Sequence, residues 1–268
     1  MLTEGDIQRF LGVDFANVSI ERAAAELERL SRRAAFSFVV TPNVDHVVLL
    51  HEGETEIAEL FRQACATACI RLCDSRVLKI LARSLGQHLK VVTGSDLTAY
   101  LFERGHLDGK TVALIGGDAA MQHELSLRYP AVVIVQNIPP MGVLHKPDAI
   151  DEIEDFLANT RADYTLFAIG APQSEIIALK CQSAGRCRGV ALCIGASIEF
   201  LLGRKRRAPI WLQRHSLEWF FRLLSEPRRL ARRYLIAAPR IFLIVWGFKR
   251  RRDLITGKKY FSGGVSDG

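Results

Sequence analysis

Arginine and carboxylate are gathered between residues 195 and 235, in the run GASIEFLLGRKRRAPIWLQRHSLEWFFRLLSEPRRLARRYL. Glu199 comes first. A basic cluster follows (Arg204, Lys205, Arg206, Arg207), then the aromatic residues Trp211, Trp219, Phe220 and Phe221, then a second basic cluster (Arg228, Arg229, Arg232, Arg233). Guanidinium matches phosphate oxygens in a two-pronged fork, so arginine at this density points to an anionic ligand. The same run also reads as a solvated basic helix with a core-facing aromatic stripe, and composition alone leans that way. What precedes it argues for a ligand: the apolar run Val190–Ile194 ends in the small residues Gly195-Ala196-Ser197, and strand ends of this kind are where α/β proteins bind ligands.

Three other apolar runs end in the same way. Phe36–Val40 stops at Thr41-Pro42-Asn43, where Pro42 cannot continue a ladder. Ile70–Cys73 leads straight to Asp74-Ser75, and Tyr164–Ile169 leads to Gly170-Ala171-Pro172. The elements that must position these residues alternate. Helical periodicity is expected over 19–33, with Ser19 as cap, over 44–69 with a break at Glu52-Gly53, and over 76–85. A helix opening at Ser95 or Asp96 comes next, then one from Asp118 to Arg128, one over 147–160, and one with Pro172 in its first turn. Strands are expected over 10–14, 36–40, 70–73, 111–115, 131–135, 164–169 and 190–194. The alternation predicts an α/β protein with a Rossmann-like parallel sheet and helices on both faces. Neither GxGxxG nor GxxxxGK[ST] is present, so there is no dinucleotide fingerprint and no P-loop.

Charge divides the chain. Its net charge of +7 hides 17 Lys/Arg against 3 Asp/Glu between residues 203 and 260, while the remainder is acidic. The expected organisation is a catalytic domain over 1–202 and a basic, amphipathic appendage over 203–268. Within the latter, Leu235–Phe248 is too short to span a bilayer, which needs roughly 20 apolar residues. Phe242, Trp246 and Phe248 beside Lys249-Arg250-Arg251-Arg252 suit an interfacial segment on an anionic leaflet, and the basic flanks favour that over a helix merely docked on the domain. Cys65, Cys69 and Cys73 are four apart, so a helix would set the first two on one face. No zinc spacing occurs among the six cysteines, which read as small buried side chains in a reducing compartment. The N-terminus shows no secretory pattern, and a cytoplasmic protein held on the inner face of the plasma membrane is expected.

Taken in order, these motifs resemble the WecG/TagA/CpsF family of bacterial glycosyltransferases, glycosyltransferase family 26. The resemblance is carried by Thr41-Pro-Asn43, Asp74, Gly94-Ser-Asp96-Leu, Ile115-Gly-Gly117, Gly170-Ala-Pro172 with Glu175, and Gly195 to Glu199. It closes on Arg207-Ala-Pro209, Trp211, Leu217-Glu-Trp219, Arg222-Leu and Glu226-Pro-Arg-Arg229. It implies a metal-independent, cofactor-free, inverting transfer from a UDP-sugar to a polyprenyl-pyrophosphate-linked saccharide at an anionic inner-membrane surface, feeding a cell-surface polysaccharide. By the same resemblance Asp74 is the base and Thr41 and Asn43 lie on the donor side. Gln173 or Ser174 takes the place of a nucleotide-contacting Gln, and Glu199 a donor-side carboxylate. Arg222, Arg229 and Arg232 fold over the diphosphate.

Departures from the family pattern are local. Ser174 stands where Gln is usual, with Gln173 one earlier. Gly195-Ala-Ser-Ile-Glu199 replaces Gly-Gly-x-Phe-Asp, and Asp74-Ser75 replaces Asp-Gly. A longer acid and a lost amide are changes that alter donor choice, and they are read as a subfamily with a different sugar, a hexose instead of an N-acetylmannosamine-type donor; transfer of a hexose or of an N-acetylhexosamine is left open. Spacing alone reads Asp74 as the cap of the helix after it; only the resemblance makes it a base. Two rivals remain open on the sequence. One is a nucleotide-binding oxidoreductase, opposed by the missing glycine fingerprint. The other is a nucleic-acid-binding protein, opposed by the absence of any nucleic-acid motif. Self-association is left open.

Overall fold

A computed structural model of the chain describes residues 2–205 and 239–250. Six parallel strands form its centre: β3 (Ser37–Val40), β4 (Ile70–Arg71), β5 (Thr111–Gly116), β6 (Val133–Asn137), β7 (Tyr164–Ala168) and β8 (Val190–Cys193). Their spatial order is β4-β3-β8-β7-β5-β6. The first and last of these strands in sequence are therefore neighbours, with Ser37 opposite Val190 and Val40 opposite Cys193. Helices cover both faces, as a parallel sheet buried on two sides requires.

Side-chain alternation decides which helix packs where. On β5, Val112 and Leu114 face one core with α1 (Ile20–Ser31), α5 (Gly94–Glu103), α6 (Ala119–Arg128) and α9 (Ser197–Leu201). Ala113 and Ile115 face the other, with α3 (Glu56–Thr67), α7 (Pro147–Thr160) and α8 (Gln173–Ala184). The α/β class, the parallel sheet and its two helical layers are as the alternation of the sequence predicts.

A third apolar cluster lies outside the sheet. An antiparallel hairpin, β1 (Ile7–Phe10) and β2 (Val13–Ala16), packs Phe10 and Phe15 against α2 (Val44–Glu52) and α4 (Arg76–Ser84). The strand expected over 10–14 is instead the turn of this hairpin. Leu11 and Gly12 both have positive φ, at 47° and 77°, which gives the connection a twist that matches its strands. Helical residues 239–250 close the cluster from outside. Ile241 is buried in it, Ile244, Val245 and Phe248 pack against it, and the Phe248 ring meets Phe10 edge-on at 6.1 Å. The opposite face leaves Phe242, Leu243 and Trp246 about two-thirds exposed, with relative exposures of 60, 66 and 63 %. Among the described residues no helix is long and apolar enough to cross a membrane.

Two local expectations change. Thr93, not Ser95 or Asp96, caps α5, its side chain accepting from the Asp96 amide. The α3 helix stops at Thr67, so Cys65 is buried while Cys69, beyond the helix end, is exposed. All six thiols are free.

Gly116 ends β5 in the left-handed region, at φ 101°, and a Cβ there would lie 2.5 Å from Ile169 Cγ2 and 3.2 Å from the Ala168 carbonyl. The position needs both the φ freedom and the missing side chain of glycine. Gly116→Ala is expected to lower stability by about 1–3 kcal/mol, read from the midpoint shift in urea denaturation.

Candidate active site

Because the six strands run parallel, their carboxyl ends meet along one edge of the sheet. Thr41 follows β3 directly; it is buried, and its Oγ1 donates to the Cys193 carbonyl at the end of β8, at 3.1 Å. Beside it Ser197 Oγ donates to the Ile194 carbonyl at 2.6 Å. The first residue of α5 closes on both hydroxyls: a methyl on Gly94 would lie 3.3 Å from Ser197 Oγ and 3.4 Å from Thr41 Oγ1. Three chain segments far apart in sequence thus share one seam.

Asp74 reaches this edge from β4. Its amide donates to the Pro42 carbonyl at 3.0 Å, which ties it to the turn between Thr41 and Asn43. It is not the helix cap. Ser75 Oγ accepts from the Leu78 amide at 3.2 Å and starts α4, so Asp74 stands one residue outside the helix. Burial pushes the neighbouring Cys73 thiol up to about 12, and the Asp74 charge adds to the rise. That thiol stays protonated and inert at neutral pH.

Asn43 caps α2, its Oδ1 accepting from the amides of Asp45 at 3.0 Å and His46 at 3.3 Å. The same oxygen lies 2.9 Å from His46 Nδ1. The other ring nitrogen, Nε2, is 3.4 Å from Glu175 Oε1 on α8. His46 and Glu175 are both buried, and the imidazole rests on Phe61 with ring centres 5.4 Å apart. His46 does not stand out in the sequence. The signal that could have found it is its place three residues after the cap, from which a side chain reaches back. Its contact with Glu175 spans 129 residues and leaves no such trace.

On the first turn of α8 the two candidates for the nucleotide contact separate. Ser174 is buried, and its hydroxyl donates to the Gly170 carbonyl at 3.2 Å, while Gln173 is half-buried with Nε2 3.5 Å from the Ile169 carbonyl. Glu199 on α9 is engaged by Lys205 Nζ at 2.6 Å. Arg204 is likewise engaged, by Asp118 and Glu124 of the α6 region at 2.5 and 2.6 Å, and those bonds hold both carboxyls below their usual range. The first two cations of the basic run therefore pair with the domain itself. Arg222, Arg229 and Arg232 lie outside the described residues. Among the described residues no three His, Cys, Asp or Glu side chains converge in a way that could hold a metal ion. A surface groove of about 350 Å³ between α3, α7 and α8, lined in part by Gln63, Asp151, Glu154 and Lys180, contains none of the strand-end residues.

A doubly covered parallel sheet with polar side chains at its strand ends defines a ligand-binding α/β protein. The chain belongs to the glycosyl transferase WecG/TagA/CpsF family, whose model matches residues 8–254. It is thus a glycosyltransferase of cell-surface polysaccharide biosynthesis. This answers both rival readings of the sequence.

The cap assignment has a direct consequence. Ser75→Ala removes the hydroxyl that satisfies the Leu78 amide, and chemical denaturation should show a loss of about 1 kcal/mol.

Proposed function

We propose that the protein transfers a sugar, with inversion and without a metal ion, from a UDP-sugar to a polyprenyl-pyrophosphate-linked saccharide. The observation that carries this reading is the tie between Asp74 and the Thr41–Asn43 turn, in a chain of a sugar-transferring family. The acceptor hydroxyl is a poor nucleophile until a base takes its proton. In this reading Asp74, outside the helix it precedes, is that base. As the proton moves to Asp74, the acceptor oxygen bonds to the anomeric carbon. The bond from that carbon to the diphosphate breaks on the opposite face, and UDP leaves. In inverting glycosidases, too, a carboxylate works on the face opposite the leaving group.

Asn43 and Gln173 are the donor contacts in this reading, with Thr41 holding the seam beneath them. Ser174 drops out because its hydroxyl is spent on Gly170. Glu199 acts as a donor-side carboxylate only while it exchanges its Lys205 partner for the ligand. Arg222, Arg229 and Arg232 offset the charge that develops on the diphosphate, which is the largest electrostatic demand of the reaction. Residues 203–268 then form an appendage that both completes the site and rests on an anionic inner-membrane surface. The outward Phe242, Leu243 and Trp246, with Arg250 lying 5.7 Å over the Trp246 ring, support the second role.

Asp74→Asn tests the chemistry. Transfer should fall by roughly 10²–10⁴-fold, while UDP binding measured by calorimetry stays near that of the wild type. Unchanged turnover would remove Asp74 as the base.

Membrane attachment needs substitution instead of truncation, because removing 239–250 would uncover Phe10 and its neighbours. Phe242, Leu243 and Trp246 changed together to Ser should release the protein from phosphatidylglycerol-containing vesicles in a flotation assay. Transfer to a water-soluble acceptor should be kept. Retention on the vesicles would refute the contact.

A further inference from the structure

We propose that His46 is a positioning residue: braced by Glu175, it fixes the Asn43 carboxamide so that its Nδ2 is the end offered to the donor. The proposal rests on the reading above in which Asn43 meets the donor. Two backbone amides, of Asp45 and His46, converge on one atom of that carboxamide. An NH₂ group there would face two donors, so the atom is the oxygen. His46 Nδ1 lies 2.9 Å from the same oxygen and must therefore carry a proton to donate. The ring then has a fixed tautomeric demand. Either Nε2 also carries a proton and donates to the Glu175 carboxylate, or Nε2 is bare and accepts from the Glu175 carboxylic acid. In both cases one proton lies between Nε2 and Oε1.

Helix capping does not need this arrangement. Asn43 Oδ1 already satisfies two amides of α2, and a third donor adds nothing to the helix. What the third donor does is lock the carboxamide against a 180° flip. With the oxygen turned to α2 and His46, the remaining polar end, Nδ2, makes no hydrogen bond among the described residues. It is not among their buried unpaired atoms either. Two N–H donors at a strand end suit the oxygens of a sugar nucleotide. Glu175 is turned to the brace: its Oε1 faces His46, and its Oε2 is buried without a hydrogen-bond partner among the described residues.

A double-mutant cycle tests this. His46→Phe keeps the ring packed on Phe61 and removes both nitrogens. It should raise the donor KM and the UDP Kd roughly tenfold, with kcat changed less than about threefold. His46→Asn, whose amide can stand where Nδ1 stood, should restore most of the loss. In the Asn43→Ala background, His46→Phe should add nothing, because the group it positions is gone. Additive effects in that background, or no rescue by Asn, would overturn the proposal. A ligand-free measurement stands beside the cycle and holds even where His46→Phe fails to fold. Long-range ¹H–¹⁵N NMR of the wild type should find a proton on His46 Nδ1. A ring protonated on Nε2 alone would overturn the inference. Failure of the wild type to bind UDP would instead strike the donor reading and leave the NMR result to decide the role of His46.

Discussion

The pairing of β3 with β8 is the constraint on which the rest depends. These strands are separated by about 150 residues, and their register, Ser37 opposite Val190 through Val40 opposite Cys193, joins the β4-β3 pair to the other four strands. The Thr41 hydroxyl extends the ladder by one bond beyond the last strand residue, to the Cys193 carbonyl. Without that seam, Asp74 and Asn43 would belong to one half of the sheet, and Glu175 and Glu199 to the other. A site assembled across it exists only when the non-local pairing is complete, so the loop-closure entropy of the fold is also a cost of making the site.

How each polar group is used separates structural from chemical roles. A hydroxyl or amide committed to the backbone is poorly placed to serve a ligand, since its transfer would leave a buried group unpaired. Thr41, Ser75, Ser174 and Ser197 are all committed in this way. Asp74 sits outside the helix that Ser75 caps, and among the described residues the hydrogen bonds of the Asn43 carboxamide are made by its oxygen. The basic run obeys the same accounting: Arg204 and Lys205 are neutralised by Asp118, Glu124 and Glu199, so the cationic surplus begins after them.

Much of this was legible in the sequence, because the local signals were consistent. Apolar runs ending in small or polar residues marked the strands and the edge where their carboxyl ends meet, and Ser19 and Asp118 marked helix starts that the structure keeps. Errors arose where several residues could do the same job. Thr93-Gly-Ser-Asp96 offers three possible caps, and only packing selects Thr93. Asp74-Ser75 offers two, and Ser75 wins. The hairpin turn at Leu11-Gly12 lacks the usual Asn-Gly or Asp-Gly pair, so its strands merged into one expected over 10–14. The His46–Glu175 contact was illegible for a different reason: it is made by tertiary structure alone.

The third apolar cluster gives the 239–250 helix a further meaning. Behind Asn43 stands α2, which contributes Val47 and Val48 to that cluster; behind Asp74 stands α4, which contributes Leu78, Leu81 and Ala82. Ile241 is buried in the same cluster. The two helices that follow the proposed base and donor contact therefore share one apolar cluster with the 239–250 helix. Any free energy that favours the seated helix also favours the placement of those two residues, and thermodynamic linkage makes the exchange reciprocal. Anything that bound the outer face of that helix would therefore be linked, in free energy, to anything that bound at the strand-end edge.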